Sequence, residues 1–128
     1  MTGTIQVPSI ALIAAGQGDL REALRAMLHC IPELRIVEAD DTVGALGALA
    51  EHHPQIVVID AALPGNHSMQ LIQAIQAMRP RIPCAILVDH VWQQAAAIAA
   101  GADRATLKGE PAARLFAQFE QLLQPAAG

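Results

Sequence analysis

The sequence predicts an α/β fold in which five short parallel strands alternate with five helices. Three observations support this class. Apolar runs of strand length recur along the chain, and each is followed by a stretch whose apolar residues have helical spacing. Turn-forming glycine, proline or aspartate residues separate these stretches. Because parallel strands need long crossover connections, the alternation indicates a parallel sheet with helices on both faces and right-handed crossovers.

The strand order 2-1-3-4-5 of flavodoxin-like, doubly wound sheets suits five such units. The first, third and fourth apolar runs are the most hydrophobic, as expected for strands inside the sheet. Leu34–Glu38 alternates in polarity and fits an edge strand.

The first half of the chain supplies three strands and two helices, after a lead-in over Met1–Pro8. We predict strands over Ser9–Ala15, Leu34–Glu38 and Ile56–Ile59. The first helix between them is capped by Asp19 and has apolar residues from Leu20 to Leu28. The second is capped by Asp40 or Asp41 and carries Val43, Leu46 and Leu49. Gly44 and Gly47 weaken the second helix, by roughly 1 kcal/mol each relative to alanine.

The second half supplies two strands and three helices. We predict a helix capped by Asn66 or Ser68 with Leu71, Ile72, Ile75 and Met78 inward, the strand Cys84–Val88, a helix over Val91–Ala100 capped by Gly101, a strand over Ala102–Leu107, and a helix opened by Pro111 and carrying Leu115, Phe116, Phe119, Leu122 and Leu123.

Length and composition indicate a single domain over residues 1–128, with its core at about 9–123. Hydrophobic residues make up 53% of the chain but aromatic residues only 2%, so alanine and the aliphatic residues must pack the core.

The net charge of −4 argues against direct nucleic-acid binding, and the absence of a polybasic run argues against a membrane surface. The apolar run Ile10–Ala15 is too short for a signal peptide or a membrane span. Cys30 and Cys84 are interpreted as buried thiols of a cytoplasmic protein, with one disulfide left open.

Asp60 is the first candidate functional residue. It directly follows the most apolar strand, and Pro64 and Gly65 force a turn soon after it. Open parallel sheets bind ligands outside the carboxyl ends of their strands, which is where Asp60 must lie. The alternative is an aspartate that only caps the turn.

These residues carry a resemblance to a known family. Val57-Val58-Ile59-Asp60 with Pro64 and Gly65, followed by Gly101-Ala102-Asp103 with Lys108, resembles the response-regulator receiver domain of two-component signalling. The resemblance covers about Ile10 to Leu123. Leu20–Leu24 also resembles the first helix of receivers attached to helix-turn-helix DNA-binding domains.

The resemblance implies a signalling function rather than an enzyme with catalytic residues. An aspartate in the place of Asp60 would accept a phosphoryl group from a histidine kinase in a phosphorelay, and Lys108 would match the family's lysine. The output would be transcription regulation through an attached domain. Transfer to a carboxylate leaves an acyl phosphate, and its charge must be neutralised, usually by Mg²⁺ and a lysine.

Four positions depart from the family pattern. The acidic pair that would hold Mg²⁺ corresponds to Ala15 and Gly16, the hydroxyl at the end of the fourth strand to Val88, and the aromatic switch residue to Ala105. We therefore predict an atypical receiver with a degenerate acidic pocket, which binds Mg²⁺ weakly or not at all and uses no cofactor. We also predict a direct or one-water contact between Asp60 and Lys108.

Two further features of the sequence are candidates for function, a possible metal site and a possible interface. Asp60, His67, Asp89 and His90 could share one end of the sheet, and carboxylate with imidazole can bind transition metals, although no spacing fixes a geometry and solvated loop residues are the favoured alternative. The helix Val91–Ala100 is apolar on several faces, which favours an interface with Val91 and Trp92 as candidates. The resemblance implies partner docking or a homodimer through the fourth helix, fifth strand and fifth helix. An unrelated small flavodoxin-like enzyme is the weakest alternative, since no catalytic constellation is present.

Overall fold

The computed structural model describes residues 9–64 and 68–124. Within them the chain alternates five strands with five helices, as predicted. The elements are β1 (Ser9–Ala14), α1 (Asp19–His29), β2 (Leu34–Ala39), α2 (Thr42–His52), β3 (Ile56–Asp60), α3 (Ser68–Gln76), β4 (Cys84–Val88), α4 (Val91–Ala100), β5 (Arg104–Leu107) and α5 (Ala112–Leu123). The lead-in, the cap predicted at Asn66, and His67 lie outside the described residues.

The five strands form one parallel sheet in the predicted order β2-β1-β3-β4-β5. Every residue from Ile56 to Ile59 and from Cys84 to Val88 is buried, because both faces of these central strands are covered. β2 is only partly buried and lies at an edge, as its alternating polarity indicated. The register aligns Ile59 with Ala14 and with Ile86, which brings the carboxyl ends of the central strands to one edge.

Two helical layers cover the sheet. One layer contains α1 and α5, whose Leu24, Leu28, Leu115 and Phe119 pack on one face of the sheet. The other contains α2, α3 and α4, with Leu49, Ile72, Ile75 and Ala97 among its buried residues. Among the helices of the described residues, none has the length and apolar character needed to cross a membrane.

Of the apolar residues expected along α2, only Leu49 packs on the sheet. Thr42, Ala45 and Leu49 are its buried residues, whereas Val43 is 79% exposed and Leu46 is 42% exposed. The helix is apolar around most of its circumference, so the spacing of its apolar residues does not determine which face packs on the sheet.

The predicted cap of α1 was also wrong. Gly18 is the N-cap and Asp19 is the first helical residue, with no side-chain hydrogen bond to the helix end. In contrast, Asp41 is a genuine N-cap of α2, since its Oδ1 accepts a hydrogen bond of 2.7 Å from the backbone N–H of Gly44. Gly101 ends α4 at φ 117°, as expected for a left-handed C-cap, and a Cβ there would lie only 2.5 Å from Cγ of Gln76.

The two cysteines are free thiols in different environments. Cys84 is buried as predicted, and burial, aided by the charge of Asp103, raises the pKa of its thiol to about 12. Cys30 is exposed, which corrects its prediction as a buried thiol, because α1 ends there at the surface.

We expect Asp41→Ala to lower the free energy of unfolding by about 1 kcal/mol, because the first turn of α2 loses its capping oxygen. Urea denaturation would measure the loss. Asp19→Ala is the matched control, and it should cost only a few tenths of a kcal/mol because it removes a dipole interaction and no hydrogen bond. Equal losses for the two variants would contradict these assignments.

Candidate functional site

The carboxyl edge of the sheet brings the candidate residues together. Asp60 is the last residue of β3, and Lys108 directly follows β5. The backbone N–H of Lys108 donates to the carbonyl of Val88 (3.0 Å), which holds the end of β5 against β4. The edge positions of two neighbouring strands therefore fix where both side chains start.

Asp60 and Lys108 form a direct ion pair, as predicted. Nζ of Lys108 lies 2.7 Å from Oδ1 of Asp60, and their side chains are only 25% and 14% exposed. Oδ1 of Asp60 also accepts a hydrogen bond of 2.8 Å from the backbone N–H of Ala62. The carboxylate is thus neutralised by a cation of the chain itself and oriented by the turn that follows it.

Asp89 completes this site. Its Oδ1 and Oδ2 lie 3.2 and 3.3 Å from Nζ of Lys108, so that one ammonium contacts two carboxylates. Partial burial alone would lower the pKa of Lys108, but the hydrogen bonds and charges of Asp60 and Asp89 outweigh it and raise that pKa. From the sequence, Asp89 is expected at this edge only as a candidate metal ligand. Its position directly after β4 is the signal that could have indicated a contact with Lys108.

The end of β1 offers no side-chain oxygen. Ala15 is fully buried, and a Cβ on Gly16 would lie 3.3 Å from Cδ of Pro64. The guanidinium of Arg21 donates to the carbonyl of Ala15 (3.4 Å), and its charge is offset by Glu38 (3.0 Å) and Asp40. Neither Ala15 nor Gly16 can therefore offer a side-chain oxygen to a cation at this end of β1.

The loop after Asp60 is fastened to α2. The backbone N–H and the hydroxyl of Thr42 both approach the carbonyl of Pro64, at 3.1 and 3.4 Å. The carbonyl of Asp60 accepts from the N–H of Leu63 (2.9 Å), which closes the turn. Pro64 therefore has a fixed position over Gly16.

The two remaining family positions also lack the relevant groups. Val88 is fully buried and apolar, and Ala105 is half-buried with its carbonyl accepting a hydrogen bond of 2.9 Å from the side chain of Gln94. The hydroxyl of Thr106, next to Ala105, donates to Gln118 on α5 (2.7 Å), and not to the site.

The positions of the described side chains give little support to a transition-metal site formed by Asp60, His67, Asp89 and His90. Asp60 and Asp89 share Lys108, whereas the ring of His90 stacks on Trp92, with centroids 6.0 Å apart. His67 lies outside the described residues. Within residues 9–64 and 68–124, no group of three or more His, Cys, Asp or Glu side chains is placed to hold a metal ion.

Asp103, from the Gly101-Ala102-Asp103 motif, lies at the opposite edge of the sheet. Its Oδ2 accepts from the backbone N–H of Cys84 (2.8 Å), and its Oδ1 pairs with Arg81 (2.6 Å). This aspartate anchors the start of β5 to the start of β4, so its role is structural.

We expect Lys108→Met to lower the free energy of unfolding at pH 7 by about 1–3 kcal/mol, because the mostly buried Asp60 carboxylate loses its partner. The raised pKa of Lys108 gives this contribution a defined pH range. It is fully present below the ordinary lysine value of 10.5 and is lost as pH rises through the raised pKa in the folded protein. Denaturation at pH 7 and above pH 10.5 measures both effects, with the exposed Arg35→Met as a control for net charge. A loss that does not shrink at alkaline pH would contradict the ion-pair origin.

Comparisons with known proteins agree with this fold. A family model described as "Response regulator receiver domain" matches residues 11–120. The two-component response regulator PhoP of Pseudomonas aeruginosa is 32% identical over 90 residues, which cover 69% of this chain but only 40% of that protein. The chain thus matches less than half the length of this relative.

Solved structures share the fold at low sequence identity. A putative response regulator from Chloroflexus aurantiacus has a TM-score of 0.81 at 20% identity, with 91% of this chain and 98% of that chain covered. The receiver domain of the sensor histidine kinase PA1611 from P. aeruginosa, solved with a magnesium ion coordinated in its active site cleft, has a TM-score of 0.79 at 17% identity with the same coverage. NtrX from Brucella abortus, in complex with ADP, has a TM-score of 0.78 at 24% identity, covering 91% of this chain and 26% of that one. With the family match extending over residues 11–120, the chain belongs to the response regulator receiver domain family.

Proposed function

We propose that this receiver is an atypical signalling module that acts by protein–protein association in the cytoplasm, with little or no Mg²⁺-dependent phosphotransfer. The observation that carries the proposal is the Lys108 ammonium, which already contacts both Asp60 and Asp89. A cation built into the chain thus contacts both acidic side chains of the site and offsets one of their two negative charges.

The residues at this edge do not fit a magnesium ion well. Mg²⁺ requires near-octahedral oxygen coordination and is usually held by one or two carboxylates plus waters. Of the family's acidic cluster only Asp60 remains, since Ala15 and Gly16 carry no oxygen, and Asp60 is held by Lys108.

The switch residues of the family are also missing. A phosphoryl group changes a conformational equilibrium only through contacts that differ between the two states. Val88 offers no hydroxyl to a phosphoryl group, and Ala105 offers no ring that could move in response. Even a phosphorylated Asp60 would lack the two contacts on which the family's response depends.

The exposed residues of α4 support association as the mode of action. Trp92 is 71% exposed, Val91 67% and Ile98 50%, an unusual exposure for large apolar side chains on neighbouring turns. Gln94 fixes the orientation of α4 through its hydrogen bond to β5, and Val91 and Ile98 lie one turn before and after it on that side. We therefore propose that a partner protein docks on the face formed by α4, β5 and α5.

The alternative function is a working phosphoacceptor at Asp60, phosphorylated by a histidine kinase and controlling a transcriptional output domain. The intact pair of Asp60 and Lys108 favours it. PhoP, the relative at 32% identity, is named as a two-component response regulator, and more than half of its length lies outside the match.

Labelling with a small acyl-phosphate donor during a Mg²⁺ titration separates the two functions. We expect the chain to remain unmodified in intact-mass spectra, and calorimetry to detect no micromolar affinity for Mg²⁺, because one paired carboxylate holds this ion poorly. Micromolar binding, or Mg²⁺-dependent labelling that Asp60→Asn removes, would establish the alternative.

Restoring the acidic pair gives the positive control. Ala15→Asp with Gly16→Asp should raise the affinity for Mg²⁺, whereas an aspartate at the exposed Ala26 of α1 should not. The contact between a Cβ at position 16 and Pro64 is close, so the folded state of the double variant must be verified by circular dichroism.

We further expect Trp92→Ala to weaken association more than Asp60→Asn does, because it removes exposed apolar area whereas Asp60 lies in a site without a working switch. Light scattering measures self-association, and pull-down with a histidine kinase measures partner binding. The opposite ranking, with Asp60→Asn abolishing association and Trp92→Ala harmless, would mean that the site still switches.

A further inference from the structure

Charge is distributed unequally between the two helical layers. The 11, 9 and 10 residues of α2, α3 and α4 include a single Asp, Glu, Lys or Arg, which is Glu51. The 11 residues of α1 alone include four: Asp19, Arg21, Glu22 and Arg25. About a quarter to a third of a soluble protein surface is normally charged. One whole side of this domain is therefore almost without charge.

The exposed apolar side chains lie on the same side. In the described part of the chain, the exposed large hydrophobic residues all belong to α2 or α4: Val43, Leu46, Val91, Trp92 and Ile98. Between them α3 presents the uncharged Gln70 and Gln73. Depletion of charge around exposed apolar residues is typical of the centre of a protein–protein interface.

We propose that two copies of this chain associate through the α2–α3–α4 face, defined by Val43, Leu46, Gln70, Gln73 and Trp92. This surface differs from the α4–β5–α5 face, because α2 packs beside β1 and β2, away from β5. Trp92 is two residues from Gln94, so it does not lie on the β5 side of α4 with Val91 and Ile98.

The face is large enough to form the centre of a dimer interface. A helix of ten residues is about 15 Å long, and packed helices lie about 10 Å apart, so the three helices present roughly 15 by 30 Å, or about 450 Å². That footprint is somewhat more than half of the roughly 800 Å² that a standard interface buries on each partner. The uncharged face supplies the centre of such an interface, and charged residues at the helix ends supply its rim.

The charges at the two ends favour one orientation. At the carboxyl edge of the sheet, Asp40 and Asp89 are paired with Arg21 and Lys108, so Asp41 at the start of α2 supplies the acidic charge. At the amino edge, Arg81 is paired with Asp103, and Arg79, which donates to the carbonyls of Gln76 and Met78, supplies the basic charge. Glu51, at that same end, has His52 as its neighbour.

A two-fold axis perpendicular to the helices would set the acidic end of each copy against the basic end of the other. It would also pair the helices antiparallel, which aligns their dipoles favourably. An axis parallel to the helices would oppose acidic end to acidic end. The antiparallel arrangement therefore follows from the charges.

A second copy suits this face better than a membrane. Membrane-bound helices carry Lys and Arg beside their apolar residues to meet anionic lipids, whereas α2 and α4 contain neither and are preceded by aspartates. The chain as a whole has a net charge of −4, yet the uncharged centre lets two copies meet without opposing like charges.

Sedimentation equilibrium of the whole chain and its variants tests the proposal. We expect a reversible dimer, and we expect Val43→Glu to raise its dissociation constant by about tenfold or more, because each copy would desolvate a new carboxylate in the interface. Ala26→Glu, at an exposed position of α1 in the opposite layer, adds the same charge and should leave the constant unchanged. Since Val43 and Ala26 are both exposed, neither change should unfold the domain.

Two variants locate the interface and its orientation. Ile98→Glu tests the β5 side of α4 and should weaken the dimer less than Val43→Glu does. Arg79→Glu should also weaken it, and adding Asp41→Asn, which keeps a capping oxygen for α2, should restore part of the affinity if acidic and basic ends meet. A monomer at millimolar concentration, a Val43→Glu variant that dimerises normally, or an equal effect of Ala26→Glu would overturn the proposal. Loss of the dimer with Ile98→Glu alone would instead assign self-association to the α4–β5–α5 face.

Discussion

The central strands of this domain are covered on both faces, and this constraint determines where any functional group can lie. Residues Ile56 to Ile59 of β3 and all of β4 are buried between two helical layers. A charged side chain within these strands would be buried without water, which is costly unless it is paired. Charged groups therefore occur where the strands end, and Asp60, Asp89 and Lys108 meet at the carboxyl edge because the register brings three strand ends together.

At that edge, a cation of the chain itself holds the carboxylates. Lys108 contacts two carboxylates, and its partial burial strengthens both interactions relative to a fully exposed pair. A hydrated metal ion would have to displace the ammonium, which breaks both contacts, or share the carboxylates with it, which brings two cations together. Metal binding is thus disfavoured twice, by the lack of carboxylates at Ala15 and Gly16 and by the ammonium beside Asp60.

The strand pattern and the Asp60–Lys108 contact could be predicted because they depend on strand ends, which short apolar runs locate well. Asp89 was recognised at this edge but not as a partner of Lys108, since 19 residues separate the two and only the register of β4 with β5 brings them together. The exposure of Val43 and Leu46 on α2 could not be predicted, because a helix that is apolar on most sides carries no periodic signal for its buried face.

The assignment of Asp19 as a cap failed for a related reason. Asp19 and Asp41 both stand beside a helix start, and residue type alone does not decide which of them points back to a free N–H. That choice depends on backbone dihedral angles at Gly18 and Asp41, which are fixed by the loops that enter the two helices. Local geometry of this kind follows from the assembled fold and not from composition.

The bonds from Thr42 to the carbonyl of Pro64 give the Asp60 turn a mechanical connection to one flank of the domain. Both the N–H and the hydroxyl of Thr42 hold that carbonyl, and Thr42 is the first residue of α2. A displacement of the turn would therefore move the start of α2, and through Lys108 it would also move the end of β5 on the other side of the domain. Asp60 and the turn after it thus connect the positions of α2 and β5, although these two elements lie on opposite sides of β3.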